Sequence, residues 1–274
     1  MRYLKMNGAG NDFVIFDSRE GEGLSLDAAQ ARAIADRKTG VGCDQVIAIE
    51  PSDSADAFMR IWNADGGEVE ACGNAARCIG WLLMEEKGAD AATIETVSGP
   101  VSAARVDAQT VAVDMGAPRL AWREIPVAKP TDTAAMDYAI GGPEGEVFAK
   151  PGGVSMGNPH AVFFVPDAEK VPASIVGPKI EHDAFFPERV NVGFAQILAP
   201  DRIRLRVWER GAGLTKACGT GACAALVAAH RAGLTGRKAA IEVDGGELQI
   251  EWRDDGHVIL TGPVSVERVG ELAA

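Results

Sequence analysis

The chain has 274 residues, 47% of them hydrophobic and 24% charged, with a net charge of −12. That composition suits one large globular domain or two of ordinary size, and the acidic balance disfavours nucleic acid and anionic membrane as partners. No apolar run reaches the roughly 18 residues of a membrane helix, the first residues lack the apolar core of a secretory signal, and five cysteines point to reduced thiols and a cytoplasmic location.

Taken in chain order, the turn-like Asn7-Gly8-Ala9-Gly10-Asn11 leads into an apolar run at 13–16, a strand entered from a loop with Asn11 at its mouth. Residues 26–37 carry Ala31, Ile34 and Ala35 at helical spacing behind a capping Asp27. The glycine-rich stretch 40–45 ends in Gln45 before a strand at 46–49; without a following Lys-Ser/Thr or a helix it is a turn, not a phosphate loop. A strand at 59–62 then runs into the loop 63–67, beginning at Asn63, which delivers the chain to Cys72. From Gly73 onward Ala75, Ala76, Ile79, Leu82 and Leu83 recur with a helical period that Gly88 can stop, so Cys72 falls at a helix N-terminus. Strands at 93–97, 101–106 and 111–115 close a first unit, and prolines and glycines interrupt the pattern from Pro118 to Gly153.

The plan then repeats. Gly157-Asn158-Pro159-His160 leads into an apolar strand, Asn191 precedes another, and a strand at 203–208 runs into Glu209-Arg210-Gly211-Ala212-Gly213. Cys218 again stands before a helix, running from Gly219 to about Gly233, and a hairpin at 241–252 and a strand at 258–261 follow. Cys72 and Cys218 lie 146 positions apart, and at the same offset Trp62 falls on Trp208, Arg60 on Arg206, Gly73 on Gly219, Ala76 on Ala222 and Gln45 on Asn191. With one residue of slippage Gly10-Asn11 falls on Gly157-Asn158 and Ile94-Glu95 on Ile241-Glu242. A period this long means a tandem duplication into two similar domains and not a solenoid. The expected class is therefore α/β (α+β), with two pseudo-symmetric domains, each a curved, mostly antiparallel sheet wrapped around the helix that follows its cysteine. Domains 1–117 and 118–262 are expected, the tail 263–274 packing back on the first, with the two cysteines facing each other across a cleft.

A thiol at a helix start ionises more readily than a free one, because unpaired N–H groups and the macrodipole favour negative charge there. Two such thiols close together hold one proton between them. One thiolate and one thiol is the state needed to take a proton from one face of a carbon and return one to the other. The amides of Gly73 and Asn74, and of Gly219 and Thr220, can hold a carboxylate on that carbon. Arg210 can grip a second carboxylate in bidentate fashion, Glu209 can accept from an ammonium, and Asn11, Gln45, Asn63, Asn158 and Asn191 offer neutral donors and acceptors at strand ends. His160 is a helper in catalysis or a structural histidine. Cys43, Cys78 and Cys223 read as small core side chains. A zinc site is disfavoured, since no C-x-x-C pair exists and the four histidines are scattered.

The segments GNDFV at Gly10, NADG at Asn63, CGNAARC at Cys72, GNPH at Gly157, ERVN at Glu188 and ERGAG with ACGTGACA from Glu209 together resemble the diaminopimelate epimerase family over essentially the whole chain. The resemblance implies a homodimeric isomerase, independent of pyridoxal phosphate and of metal, that interconverts LL- and meso-diaminopimelate in lysine and cell-wall precursor synthesis. It also implies that Cys218 is the base and Cys72 the acid from LL to meso, that Asn63, Asn158, Asn191 and Arg210 contact the distal end of the substrate, and that Glu209 and His160 assist at the reacting end. Ala75, Gly67 and Leu214 depart from the usual glycine, serine and glutamate, at positions with no assigned side-chain chemistry. Two other readings stand beside this one. Proline racemase-type enzymes also pair cysteines, but their second motif reads S-P-C-G-T-G where this chain has Lys216-Ala217-Cys218; a metabolite-binding thiol switch is the non-enzymatic alternative.

Overall fold

The computed structural model describes residues 1–20, 26–70 and 72–272. Ala71, which opens the first cysteine motif, and the last two residues of the tail lie outside them. The chain divides into two compact units, Met1–Asp114 with Thr261–Ala274, and Met115–Leu260.

In the first unit β1 (Arg2–Gly8) and β2 (Asn11–Asp17) form a hairpin closed by Ala9 and Gly10. Their φ values of 56° and 92° are the left-handed pair that a two-residue hairpin turn requires, and this turn sets Asn11 at the start of β2. After α1 (Ala28–Ala35), capped by Asp27 through the N–H groups of Ala29 and Gln30, β3 (Gln45–Glu50) lies parallel to β2 and antiparallel to β4 (Ala57–Asn63). β4 also pairs with β5 (Glu68–Val69), and α2 (Gly73–Lys87) follows, ended by Gly88 in the left-handed conformation. β6 (Ala91–Thr96), parallel to β4, then continues antiparallel into β7 (Gly99–Arg105) and β8 (Thr110–Asp114). The C-terminal strand Ser265–Glu271 pairs with β1.

The second unit carries a small hairpin of β9 (Ala139–Gly141) and β10 (Val147–Ala149), and then the same order as the first. β11 (Gly152–Ser155) is antiparallel to β12 (Pro159–Phe164); α3 (Ala173–Glu181) leads to β13 (Asn191–Ala199), parallel to β12. β14 (Arg202–Glu209) pairs with β13 and with β15 (Gly213–Thr215), α4 (Gly219–Arg231) follows, and β16 (Lys238–Val243), β17 (Gly246–Trp252) and β18 (Val258–Pro263) complete the series. The duplication holds at the level of register. Ile61 opposite Val69 corresponds to Val207 opposite Thr215, Phe58 opposite Glu95 to Arg204 opposite Glu242, and Phe13 opposite Gln45 to His160 opposite Asn191.

Composition explains why the helices are central. Ala222, Ala224, Ala225, Ala228 and Ala229 make α4 small and apolar nearly all round, and all are buried, the signature of a helix enclosed by its sheet. It packs on β11, β12, β13, β14, β16 and β17, and α2 packs on β1, β6, β7 and β8, strands from both ends of its unit. At Gly80 an added Cβ would fall 2.4 Å from the Ala103 methyl, so α2 reaches β7 through a residue with no side chain.

Several elements go beyond the sequence reading, β1, α3, β9 and β10 among them. β1 escapes it because its buried residues, Tyr3, Met6 and Gly8, do not keep a period of two; its pairing with the C-terminal strand is irregular as well, Glu267 being the extra residue on that strand between the partners of Lys5 and Met6. α3 contains Pro178, a residue that normally ends a helical pattern. β9 and β10 lie in the glycine- and proline-rich stretch read only as an interruption.

Candidate active site

In the first unit the end of β4 and the start of α2 place Asn63 and Cys72, while the β1–β2 turn places Asn11. Cys72 is the N-cap of α2 in extended backbone conformation, φ −146° and ψ 115°, and its side chain does not cap the helix. Gly73 and Asn74 are the first two helical residues, whose N–H groups have no intrahelical acceptor. Asn74 is buried and donates from Nδ2 to Asn11 Oδ1 at 2.6 Å. Gln45 and Asn63 stand opposite each other in the β3–β4 ladder, and Gln45 Nε2 donates to Asn63 Oδ1 at 2.9 Å. Asp12, one residue into β2, takes bidentate hydrogen bonds from Arg37 and an ion pair from Lys5 at 2.9 Å. Burial raises its pKa, but the hydrogen bonds and charges of Arg37 and Lys5 outweigh burial and hold it well below the usual carboxylate range.

The second unit gives Cys218 the same position, N-cap of α4 with φ −127° and ψ 107°, but a different set of partners. Its Sγ accepts from the N–H of Gly221 at 3.4 Å and lies 3.6 Å from Thr220 Oγ1. Asn158 Nδ2 donates to Thr220 Oγ1 at 3.2 Å, and His160 Nε2 is 3.0 Å from Asn158 Oδ1, so His160, Asn158, Thr220 and Cys218 form one line. Glu209, at the end of β14, accepts from the Thr215 hydroxyl. Asn191 is nearly enclosed, donating to the Pro159 carbonyl at 2.9 Å and accepting the Arg210 N–H at 2.9 Å, so it fixes the backbone of the turn that carries Arg210. The Arg210 side chain donates to the Glu188 carbonyl at 3.0 Å, and no ion pair engages it among the described residues.

The structure corrects the expectation that both helix-start thiols are acidic. Burial, and then the charge of Glu209, push Cys218 well above the ordinary thiol value despite the N–H of Gly221 and the Thr220 hydroxyl; a cysteine only 5% exposed loses more from desolvation than a helix start returns. Cys43 and Cys78 are likewise pushed up to about 12, chiefly by burial, as suits core side chains. Burial first, and then the Arg210 charge, push the His160 imidazole down to about 3 from 6.5, so it is neutral at physiological pH. The unfolded chain protonates this histidine below pH 6.5 and the folded one does not, so stability falls as pH drops from 6.5 towards 3. His160→Asn should therefore lose about 2 kcal/mol less than the parent between pH 7.5 and pH 5, measured by urea unfolding at the two values.

The site residues thus gather as Cys72, Gly73, Asn74 and Asn11, with Gln45 joined to Asn63, in one unit, and as Cys218, Gly219, Thr220, Asn158 and His160, with Asn191 joined to Arg210 and Glu209 beside Cys218, in the other. Asp44 and Arg77 were missed: Asp44 accepts from Asn11 Nδ2 at 3.0 Å and Arg77 donates to Asn74 Oδ1 at 2.7 Å. Arg77 carried a signal, a charged residue one turn after Asn74 on a helix of small residues; Asp44 carried none. Among the described residues no group of three or more histidine, cysteine or carboxylate side chains could hold a metal ion.

The family model for diaminopimelate epimerase matches the chain twice, over residues 3–121 and 153–267. The chain belongs to the diaminopimelate epimerase family. It is 63% identical over 270 residues to the diaminopimelate epimerase of Phenylobacterium zucineum, covering 98% of this chain and 97% of that one, and 57% identical to that of Acidiphilium cryptum, covering 99% and 96%. Among solved structures a hydroxyproline epimerase from Agrobacterium vitis aligns with TM-score 0.69 and 16% identity over 98% of this chain and 91% of that one. A phenazine biosynthesis protein from Bacillus anthracis aligns with TM-score 0.69 and 14% identity over 100% and 99%. These likenesses show a shared mixed α/β fold. Membership of the diaminopimelate epimerase family makes the chain an isomerase, and no helix among the described residues is long and apolar enough to cross a membrane.

Proposed function

We propose that the chain interconverts LL- and meso-diaminopimelate by proton exchange between Cys72 and Cys218, acting on opposite faces of one α-carbon. The observation that carries this reading is the repeated placement of a cysteine as N-cap of the central helix in each unit, in a chain of this family. A thiolate takes the α-proton, so a C–H bond breaks as an S–H bond forms; the opposed thiol gives its proton to the other face, and charge and atoms balance without an oxidant. The amides of Gly73, Asn74, Gly219 and Thr220 hold the α-carboxylate and spread the charge that develops at the carbon. Cys218, held as a thiol by burial and Glu209 when no ligand is present, passes its proton to the Glu209 carboxylate beside it, and the thiolate is then held by the N–H of Gly221 and the Thr220 hydroxyl. Arg210, with Asn63, Asn158 and Asn191 about it, receives the distal amino-acid end, and Glu209 and His160 assist at the reacting end.

This reading takes 1–117 and 118–262 as the two domains, with the chain acting as a homodimer in the cytoplasm. The test is direct: LL-diaminopimelate incubated with the purified protein, without added cofactor, should reach a mixture with the meso isomer by chiral chromatography. Unchanged LL isomer would refute it, and proline turned over in its place would favour the racemase alternative.

A further inference from the structure

Arg210 stands in the exposed turn after β14, yet both peptide groups that flank its Cα are held by buried side chains. Asn191 Oδ1 accepts the N–H of Arg210 at 2.9 Å, and Glu181 Oε1 accepts the N–H of Gly211 at 3.0 Å. With both peptide planes held, the direction in which the Arg210 side chain leaves the backbone is held as well. Glu181 is the last residue of α3 and is buried, a place that a carboxylate takes only when its oxygens are hydrogen-bonded. Its Oε2 accepts from Trp208 Nε1 at 2.7 Å, and Arg189 Nη1 and His182 Nε2 lie 3.9 and 4.0 Å from Oε1. At Gly177, one turn before Glu181, an added Cβ would fall 2.5 Å from Trp208 Cγ, so the indole is seated against the helix backbone. Glu181 therefore ties the residue before Glu209-Arg210 to the residue after it.

Two donors converge on this side chain, and a carboxylate can accept from both, whereas a glutamine of the same size would set its NH2 against one of them. The first unit braces its corresponding turn in another way. There Asn63, Gly66 and Gly67 close the turn among themselves, the exposed Arg32 of α1 donates to the Asp65 carbonyl at 3.0 Å, and the position equivalent to Arg210 is Ala64. The turn with a long cation to aim is the one whose N–H groups are taken by Asn191 and Glu181.

We infer that Glu181 is a positioning residue for recognition: through the Gly211 peptide it holds the Arg210 guanidinium where the distal carboxylate of the substrate is received. This deepens the reading of Arg210 as the group that binds that carboxylate, and rests on it.

Glu181→Met nearly keeps the length of the side chain and removes both acceptors, leaving the Gly211 N–H to turn towards water. KM for LL-diaminopimelate should rise about tenfold or more while kcat stays within about twofold of the parent, because the distal end takes no part in proton transfer. The deciding measurement is a double-mutant cycle with Arg210→Ala. Once the guanidinium is gone, Glu181→Met should change kcat/KM by less than about twofold. A tenfold loss that persists in the Arg210→Ala protein would overturn the inference, since Glu181 would then act through Glu209 or through the fold as a whole; a parental KM in Glu181→Met alone would overturn it too. Amide hydrogen exchange needs no active variant. In the parent the Gly211 N–H should exchange at least about a hundredfold more slowly than in an unfolded chain, although it lies in an exposed turn, and in Glu181→Met it should speed up. Fast exchange in the parent would show that Glu181 does not hold the turn, whether or not the variant folds. A parent protein inert towards diaminopimelate would refute the proposed reaction and with it the role in recognition, while the exchange rates would still decide whether Glu181 holds the turn that carries Arg210.

Discussion

Serine in place of Cys72, or of Cys218, should each reduce epimerisation by roughly a thousandfold or more, since an acid–base group contributes about 10²–10⁴ and a hydroxyl cannot ionise near neutral pH. Serine keeps the shape of the N-cap in both units, so loss of activity with unchanged Tm isolates the proton-transfer role from the structural one. The two thiols are not equivalent halves. Cys218 accepts the N–H of Gly221 and lies beside Thr220, whereas Cys72 does not cap its helix. With burial and Glu209 pushing Cys218 up, its alkylation by iodoacetamide in the ligand-free protein should be slow at pH 7 and quicken as pH rises. In deuterated water, product formed from the LL isomer should carry solvent deuterium while recovered substrate carries little at early times, because the group that takes the proton is not the group that gives one. Rate against pH should have two limbs belonging to the pair of thiols together. Substantial turnover by either serine variant, or product that retains the substrate's own hydrogen, would mean that a single base does the work.

The parts of the molecule legible in the sequence were those carried by local chemistry. Asp27 at the start of α1, Gly88 at the end of α2 and the glycine after each cysteine are short-range signals, and the 146-residue offset shows in matched residue types. The strand at 203–208 alternates buried and half-buried positions, and the one at 59–62 does so as far as Ile61, before Trp62, which is buried as well. What escaped depends on partners distant in the chain. β1 is held by a strand from the other end of the sequence, which bulges against it at Glu267, and α3 tolerates Pro178 because the helix is held by packing on β13, β14 and β15. The acidity of Cys218 was misjudged for the same reason: a helix start can be read from sequence, while burial and the approach of Glu209 appear only once β14 and α4 are packed. Asp44 and Arg77 belong to a hydrogen-bonded line that spans 63 positions at one link, and no pattern within either segment reports it.

Arg210 is the residue whose loss should most damage recognition as distinct from proton transfer. Asn191 pins its backbone and the Glu188 carbonyl takes one of its donors, so the guanidinium is oriented, and no side-chain ion pair among the described residues has claimed its charge. An oriented cation of this kind binds a carboxylate through two parallel charge-assisted hydrogen bonds. Arg210→Ala should therefore lower kcat/KM by at least about 3 kcal/mol, roughly a hundredfold. Arg210→Lys should recover little, because an ammonium restores the charge without the planar fork. His160 provides an internal control. The Arg210 charge helps to keep that imidazole neutral, second to burial, so Arg210→Ala should move the His160 titration upward, whereas Arg210→Lys should leave it close to the parent. Both are readable by NMR of the histidine ring. A lysine variant with normal His160 titration and poor kcat/KM would show that geometry at the carboxylate, and not charge in the pocket, is what Arg210 supplies; near-normal kcat/KM in that variant would remove Arg210 from the substrate and leave it a role only in setting the state of His160.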